Sequence, residues 1–369
     1  MNTSSANDQR IPITLLTGFL GAGKTTLVNQ ILSNATDEKI AIIVNEFGEI
    51  GIDGDLISRA SDDMLELANG CICCSSKDDL MEALYKLYMR RAGLAEPRVD
   101  FDRVLIETTG LANPLPLAQA FYTDMSLSLT YRLDAIVTLV DLKHLSLQLE
   151  NAPEAERQIA LADKILMTKR DLVSDEEYGN ALSLVRALNP FASRSLLNFG
   201  AAKLDELLDV GLFDPNTGES SVEKWIAIDP ACSNSESHNH HEGHCETCAH
   251  LEPQAHHHLG VSSVSFREER PLEYEKLLSF LASLTQAYGS NLYRVKGLIN
   301  FQGSYRPVIV QGVQNVFSPL TYADAWPRGV AETRLVVIGK GIQREVLSEA
   351  FHSCVAKAED MFENGFVMV

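Results

Sequence analysis

Three groups of residues in this chain have the types and spacing to do chemistry. The first is Gly18-Phe19-Leu20-Gly21-Ala22-Gly23-Lys24-Thr25, a complete GxxxxGK[ST] pattern. Glycines there let the backbone fold tightly, so that successive N–H groups from Gly21 to Thr26 point at phosphate oxygens. Lys24 can set an ammonium on the β- and γ-phosphates, and Thr25 can offer a hydroxyl to Mg²⁺. The second group is Cys71, Cys73 and Cys74, within Asn69-Gly70-Cys71-Ile72-Cys73-Cys74. Three thiolates can converge on one Zn²⁺ and leave its fourth position open, which suits a site that accepts and surrenders metal. Co²⁺ fits the same donors. Buried packing of three small hydrophobes, or a redox pair at Cys73–Cys74, are the alternatives. The third group is the tract from His238 to His258. It holds His238, His240, His241, His244, His250, His256, His257 and His258 with Cys245 and Cys248. Imidazoles and a CxxC pair can buffer several metal ions. The tract could also hold one structural zinc through Cys245, Cys248 and two His, or be a solvated linker. Cys232 and Cys354 stand apart and read as bystanders.

Further candidates surround the first group. Glu107 closes the apolar run RVLIE and precedes Thr108-Thr109-Gly110. An acidic residue at the carboxyl end of a parallel strand faces the ligand crevice. There it can hold Mg²⁺ through water or orient an attacking water. The Gly110 N–H can reach a γ-phosphate. Thr168-Lys169-Arg170-Asp171 resembles a guanine-reading NKxD motif with Thr168 in the Asn position. Asp171 would accept from guanine N1–H and N2–H₂, which adenine cannot supply, and the Lys169 stem would cover the base. These residues point to GTP. Glu46, in Asn45-Glu46-Phe47-Gly48-Glu49, is a candidate fourth zinc ligand or γ-phosphate sensor.

The elements that must position these residues alternate strand with helix. Apolar runs at 13–17, 40–45, 103–107, 135–140 and 164–168 read as strands. Helical spacing lies near 25–33, 79–91, 115–122, 154–162 and 174–188. Continuous Val/Ile/Leu runs separated by helices predict an α/β domain, a mostly parallel sheet covered by helices, over residues 10–215. Residues 216–259 read as a His-rich flexible linker. Residues 260–369 read as a smaller α+β domain. Its strands are expected near 261–266, 292–301, 307–313 and 334–339, with helices near 272–287 and 342–358.

Composition bounds the partners. The chain has 369 residues with 31 Lys+Arg and 50 Asp+Glu, a net charge of −19. So negative a surface repels phosphate backbones and excludes general nucleic-acid binding. No apolar run approaches the roughly 18–20 residues of a membrane span. Met1 to Arg10 carries no apolar signal region, so the expected compartment is the cytoplasm, where the 7 Cys stay reduced. There they favour metal or catalysis over disulfides.

Taken together, GFLGAGKTT, VNEFGE, GCICC, ETTGLANP and TKRD resemble the CobW-type family of P-loop GTPases over about residues 12–190. LYRVKGLINFQG, Trp326 and RLVVIGKG are similar to that family's C-terminal domain. The resemblance implies a P-loop NTPase fold with a CobW-like C-terminal domain, and a GTP-hydrolysing metallochaperone or metal insertase. Its partner would be a client metalloprotein, and a homodimer is left open. Relatives serve zinc delivery, cobalt insertion for cobalamin, or nitrile hydratase maturation.

The expected function is therefore zinc transfer to clients, with GTP ordering the thiol segment and hydrolysis releasing it. Two rivals stand beside it. One is a cobalt chaperone on the same fold. The other is a passive storage or sensor protein whose nucleotide only shapes the site.

Overall fold

The structure, a computed structural model, describes residues 10–33, 39–44, 77–190, 192–197, 260–323, 325–326 and 329–357. The first part of the chain runs β1 (Ile11–Gly18), α1 (Lys24–Ser33), β2 (Ile40–Val44), α2 (Lys77–Arg91), β3 (Arg103–Glu107), α3 (Leu115–Thr123) and α4 (Met125–Thr130). It continues through β4 (Tyr131–Asp141), α5 (Leu145–Asn151), α6 (Pro153–Leu161), β5 (Lys164–Thr168), α7 (Asp175–Leu188) and β6 (Ser193–Leu196). Every pairing in this sheet is parallel, in the order β2-β3-β1-β4-β5-β6. The apolar runs form its core because both faces are covered. β3 is buried at every position, and Ile13, Leu15, Val104, Ile106 and Ile136 pack with Leu84 and Leu87 of α2. The alternating strands and helices expected from the sequence are thus a P-loop NTPase fold.

Strand order fixes the functional edge. β1 lies between β3 and β4, so the sheet winds in opposite directions on either side of it. Ligands of such sheets bind at the carboxyl ends of the strands, at that reversal. Gly18, Glu107, Asp141 and Thr168 are the last residues of their strands and all lie on this edge.

The second part runs β7 (Val261–Glu268), α8 (Tyr274–Tyr288), β8 (Leu292–Ile299), β9 (Val308–Val313), β10 (Val316–Phe317), β11 (Thr321–Tyr322), β12 (Thr333–Lys340) and α9 (Arg344–His352). Its sheet is antiparallel, in the order β10-β9-β8-β12-β7 with β11 on β9. Successive residues of a strand face opposite sides. Leu335 and Val337 of β12 join the core made with Leu277, Phe280 and Leu284 of α8 and Phe351 of α9. Val336 and Ile338 instead join the core of the first domain. The sheet is therefore sandwiched between its own helices and the P-loop domain.

That sandwich explains an unusual strand. All eight residues of β8, LYRVKGLI, are buried, including Arg294 and Lys296. Buried cations need a partner. Both reach Asp163, just before β5: Arg294 Nη2 lies 2.8 Å from Oδ1, and Lys296 pairs with the same oxygen. The other oxygen, Oδ2, accepts the Ile136 N–H at 2.9 Å. Burial pushes the Lys296 ammonium down to about 8, and the Asp163 charge opposes the shift. Beside this pair, Gln119 of α3 donates to the Val313 carbonyl at 3.3 Å and to Gln314 Oε1 at 3.0 Å. No helix among the described residues is long and apolar enough to cross a membrane.

Candidate nucleotide site

The glycine loop turns sharply out of β1. Gly18 pairs with Leu139 of β4 and takes φ 141°, and a Cβ there would lie 2.5 Å from the Leu139 carbonyl oxygen. Only glycine fits that close approach. The loop closes with the Ala22 N–H donating to the Phe19 carbonyl, and α1 starts at Lys24. The Lys24 ammonium is buried against the loop, donating to the Gly18 and Phe19 carbonyls at 2.8 and 3.2 Å. Thr25 donates its hydroxyl to Glu107 Oε1 at 3.0 Å. Residues 82 positions apart in sequence thus meet because β1 and β3 are neighbours, with Leu16 opposite Glu107. A hydroxyl and a carboxylate side by side at a glycine loop are hard oxygen donors of the kind Mg²⁺ takes.

The segment after Glu107 is braced on several sides. The Thr108 N–H donates to the Leu16 carbonyl at 2.9 Å, and its hydroxyl donates to Thr17 Oγ1 at 3.0 Å. Gly110 then runs against the phosphate loop, where a Cβ would lie 2.6 Å from Leu20 Cδ2 and 2.8 Å from the Leu20 nitrogen. Gln158 of α6, buried, donates to the carbonyls of Gly110 and Ala112 at 3.1 and 3.0 Å. Asn113 Oδ1 accepts the Leu115 N–H at 3.1 Å just before α3 begins. The Thr109 hydroxyl is buried with no hydrogen-bond partner among the described residues. Such a group costs about 1–3 kcal/mol unless something satisfies it.

The other end of the site is built by β4 and β5. The Thr168 hydroxyl is buried and donates to the Ala22 carbonyl of the glycine loop at 3.0 Å. The residue that departs from NKxD therefore ties this turn to the phosphate loop. Lys169 takes a left-handed backbone, φ 58° and ψ 37°, and starts a short 3₁₀ turn over Arg170–Leu172. Its ammonium reaches Asp141 Oδ2 at 2.6 Å. Asp171 sits exposed on that turn. Burial pushes the Asp141 carboxyl up, but hydrogen bonds from Lys169 and His144 outweigh it and hold the group below the usual range. Beyond the turn, Ser174 and Glu177 close a capping box at the start of α7.

Two family profiles match this chain. The CobW/HypB/UreG nucleotide-binding domain covers residues 12–194, and the cobalamin synthesis protein cobW C-terminal domain covers 261–355. The chain belongs to the CobW family of P-loop GTPases. Among CobW-family relatives, the zinc chaperone YjiA of Escherichia coli is 31% identical over 92% of this chain and 98% of its own. The zinc-regulated GTPase metalloprotein activator 1 of Schizosaccharomyces pombe is 32% identical over 90% of this chain and 83% of its own. A crystal structure of Zn(II)-bound YjiA GTPase from E. coli superposes with a TM-score of 0.68 at 28% identity, covering 94% of this chain and 99% of that one.

Within this CobW-family fold, the structure brings Lys24, Thr25, Glu107 and Gly110 together, and it joins Lys169 to the same edge. Cys71, Cys73, Cys74 and Glu46 lie outside the described residues, as do all the His and Cys of the 238–258 tract. Their neighbours do not: Val44, two residues before Glu46, pairs with Glu107, and α2 begins at Lys77, three residues after Cys74. Cys354 is buried and donates to the Ala350 carbonyl. Among the described residues, no group of three His, Cys, Asp or Glu could hold a metal ion. Sequence reasoning missed Gln158, Asp141 and the bridging role of Thr168. Asp141 and Thr168 each end a buried apolar run, the signal the sequence offers for them, whereas Gln158 follows Glu156 and Arg157 on α6 and carries no such signal.

Proposed function

We propose that this protein is a cytoplasmic GTP-hydrolysing metallochaperone that takes zinc as cargo at Cys71, Cys73 and Cys74 and passes it to client metalloproteins, with loading and release coupled to nucleotide state. The observation that carries the nucleotide half is the Thr25 hydroxyl 3.0 Å from the Glu107 carboxylate at the mouth of the glycine loop. These two donors would hold Mg²⁺, which supplies charge neutralisation on the phosphates when bound. Lys24 and the backbone from Gly21 to Thr26 bind the β- and γ-phosphates. Gly110, kept in place by Gln158, offers its N–H to the γ-phosphate, and the buried Thr109 hydroxyl is available beside it. Lys169 covers the guanine and Asp171 accepts its N1–H and N2–H₂. Glu107 also orients the attacking water, so hydrolysis is mainly positioning and electrostatics.

The cargo half rests on the donor set and the relatives. Three thiolates suit zinc, the relatives above are named for zinc, and the stability order places zinc above cobalt. Coupling is supported by connectivity. Cys74 is followed within three residues by α2, and Glu46, the candidate fourth ligand, lies two residues after β2, which pairs with Glu107. If GTP raises zinc affinity, zinc must raise GTP affinity by the same factor. The His238–His258 tract then acts as a fast-exchanging reservoir. The test is zinc affinity measured with a GTP analogue and with GDP, repeated after Cys73→Ser. Tighter binding in the GTP state, lost in the variant, is expected; equal affinity in both states overturns the coupling.

A further inference from the structure

The base end of the site contains a buried carboxylate to which the nucleotide reading gives no part. Asp141 ends β4 directly opposite Thr168 in the parallel register, so it lies beside the residue that precedes Lys169. Its side chain is 2% exposed and both oxygens are engaged. Oδ1 accepts the backbone N–H groups of Lys143 at 3.0 Å and His144 at 3.4 Å. Oδ2 accepts the Lys169 ammonium at 2.6 Å and faces His144 Nδ1 at 2.8 Å. We propose that Asp141 is the positioning residue that presets Lys169 for guanine, with His144 bracing the same carboxylate oxygen. The proposal rests on the reading of Lys169 and Asp171 as the pair that meets the base.

The physical argument is preorganisation. A lysine side chain has four rotatable bonds and loses much rotamer freedom when it is fixed. A buried anion that fixes it before the ligand arrives removes that loss from the binding step. The backbone makes the same point. Lys169 is a non-glycine residue in the left-handed region, a costly conformation that persists only where surroundings enforce it, and such residues cluster at ligand sites. Here two ties enforce it: the Thr168 hydroxyl holds the turn to the phosphate loop, and Asp141 holds the lysine head. The first sets the distance between base turn and phosphates, and the second sets the direction of the stem. His144 is half-exposed on the N-terminal side of α5, so its ring reaches Asp141 from the solvent side while Lys169 approaches from β5.

A purely structural role is the rival, because Asp141 also ties the backbone of its own turn. The two differ in what they do to ligands. Dissociation constants for GDP, ADP and inorganic triphosphate are measured on the full chain, for the native protein and for Asp141→Asn, Lys169→Met and the double variant. Asp141→Asn keeps the shape and an oxygen for the turn N–H groups. It is expected to weaken GDP about five- to tenfold and to leave ADP and triphosphate within about twofold. In the Lys169→Met background it should add nothing, because it acts through that ammonium. Equal weakening of all three ligands, or full additivity in the double variant, overturns the proposal. Should Asp141→Asn fail to fold, His144→Ala carries the same cycle against Lys169→Met. It is expected to cost GDP about twofold and to add nothing without the ammonium, and no loss in either background overturns the brace. Failure of the guanine reading itself is visible separately, as a native protein that binds ADP as tightly as GDP.

Discussion

One pair of charged residues in each sheet of this protein shows two opposite placements. In the parallel sheet, Glu107 and Asp141 stand at strand ends, on the edge that meets a ligand. In the antiparallel sheet, Arg294 and Lys296 stand on the face of a fully buried strand and meet Asp163 of the other domain. The difference teaches what each sheet is for. Charge at a strand end can serve a nucleotide, directly at Glu107 or through Lys169 at Asp141, whereas charge on the buried face of β8 is committed to the other domain. The second sheet packs on α3 and α6, the helices that follow and clamp the segment from Thr108 to Asn113. The segment from Thr108 to Asn113 and the C-terminal sheet therefore share α3 and α6 as common supports.

The comparison can be broken most severely at Asp163. Asp163→Ala leaves two cations buried without their anion, and should cost about 3–5 kcal/mol in urea unfolding. A loss under about 1 kcal/mol would mean the interdomain charges are solvated and the contrast is false. Next, Lys24→Met removes strand-end chemistry without touching the interface. It should lower kcat/KM for GTP roughly 10²–10³-fold while the unfolding midpoint stays near that of the native chain. Gly110→Ala probes the segment held between the glycine loop and these supports. Its Cβ would press on Leu20, so the segment must shift by a fraction of an ångström to one. Hydrolysis should fall by up to about 10²-fold with GDP affinity retained, read from single-turnover rates and GDP titration. The smallest effect is expected at the cap behind the base turn. Glu177 is held down to about 2 by the Ser174 N–H and then by Lys143. A carboxyl depressed in the folded state stabilises above its free value of 4.5, and that contribution disappears as pH falls through about 2. The protection factors of the amides at the start of α7, exchange rates corrected for the intrinsic pH dependence, should therefore fall over that window, and Glu177→Gln should remove the dependence.

Much of this was legible beforehand, for a reason visible in particular elements. β3 and β5 are the runs RVLIE and KILMT with the bounds read from sequence, because a strand covered on both faces needs unbroken apolar residues. β4 is longer than AIVTLV suggests. Arg132 and Asp134 interrupt its apolar pattern, yet Asp134 is fully buried against Arg103 and Arg132. The short elements α4, α5 and β6, with β10 and β11, offer too few residues for a period to show. Within the site, the sequence marked Lys24, Thr25, Glu107 and Gly110 by pattern, a complete glycine-loop motif and an acid ending an apolar run, and the fold brings these residues together.

The sequence by itself determined the parts list: a glycine loop with its lysine, a strand-end acid, a guanine-like turn, clustered thiols and the order of strands and helices. These follow from local chemistry and period, which the chain carries in neighbouring residues. Only the tertiary structure decided which distant groups meet. Thr168 on Ala22, Asp141 on Lys169, Gln158 on Gly110 and Asp163 on Arg294 and Lys296 each join separate elements. A buried polar group must find a partner, but its own neighbours in sequence do not say which one, because that depends on strand order and on how the two sheets pack.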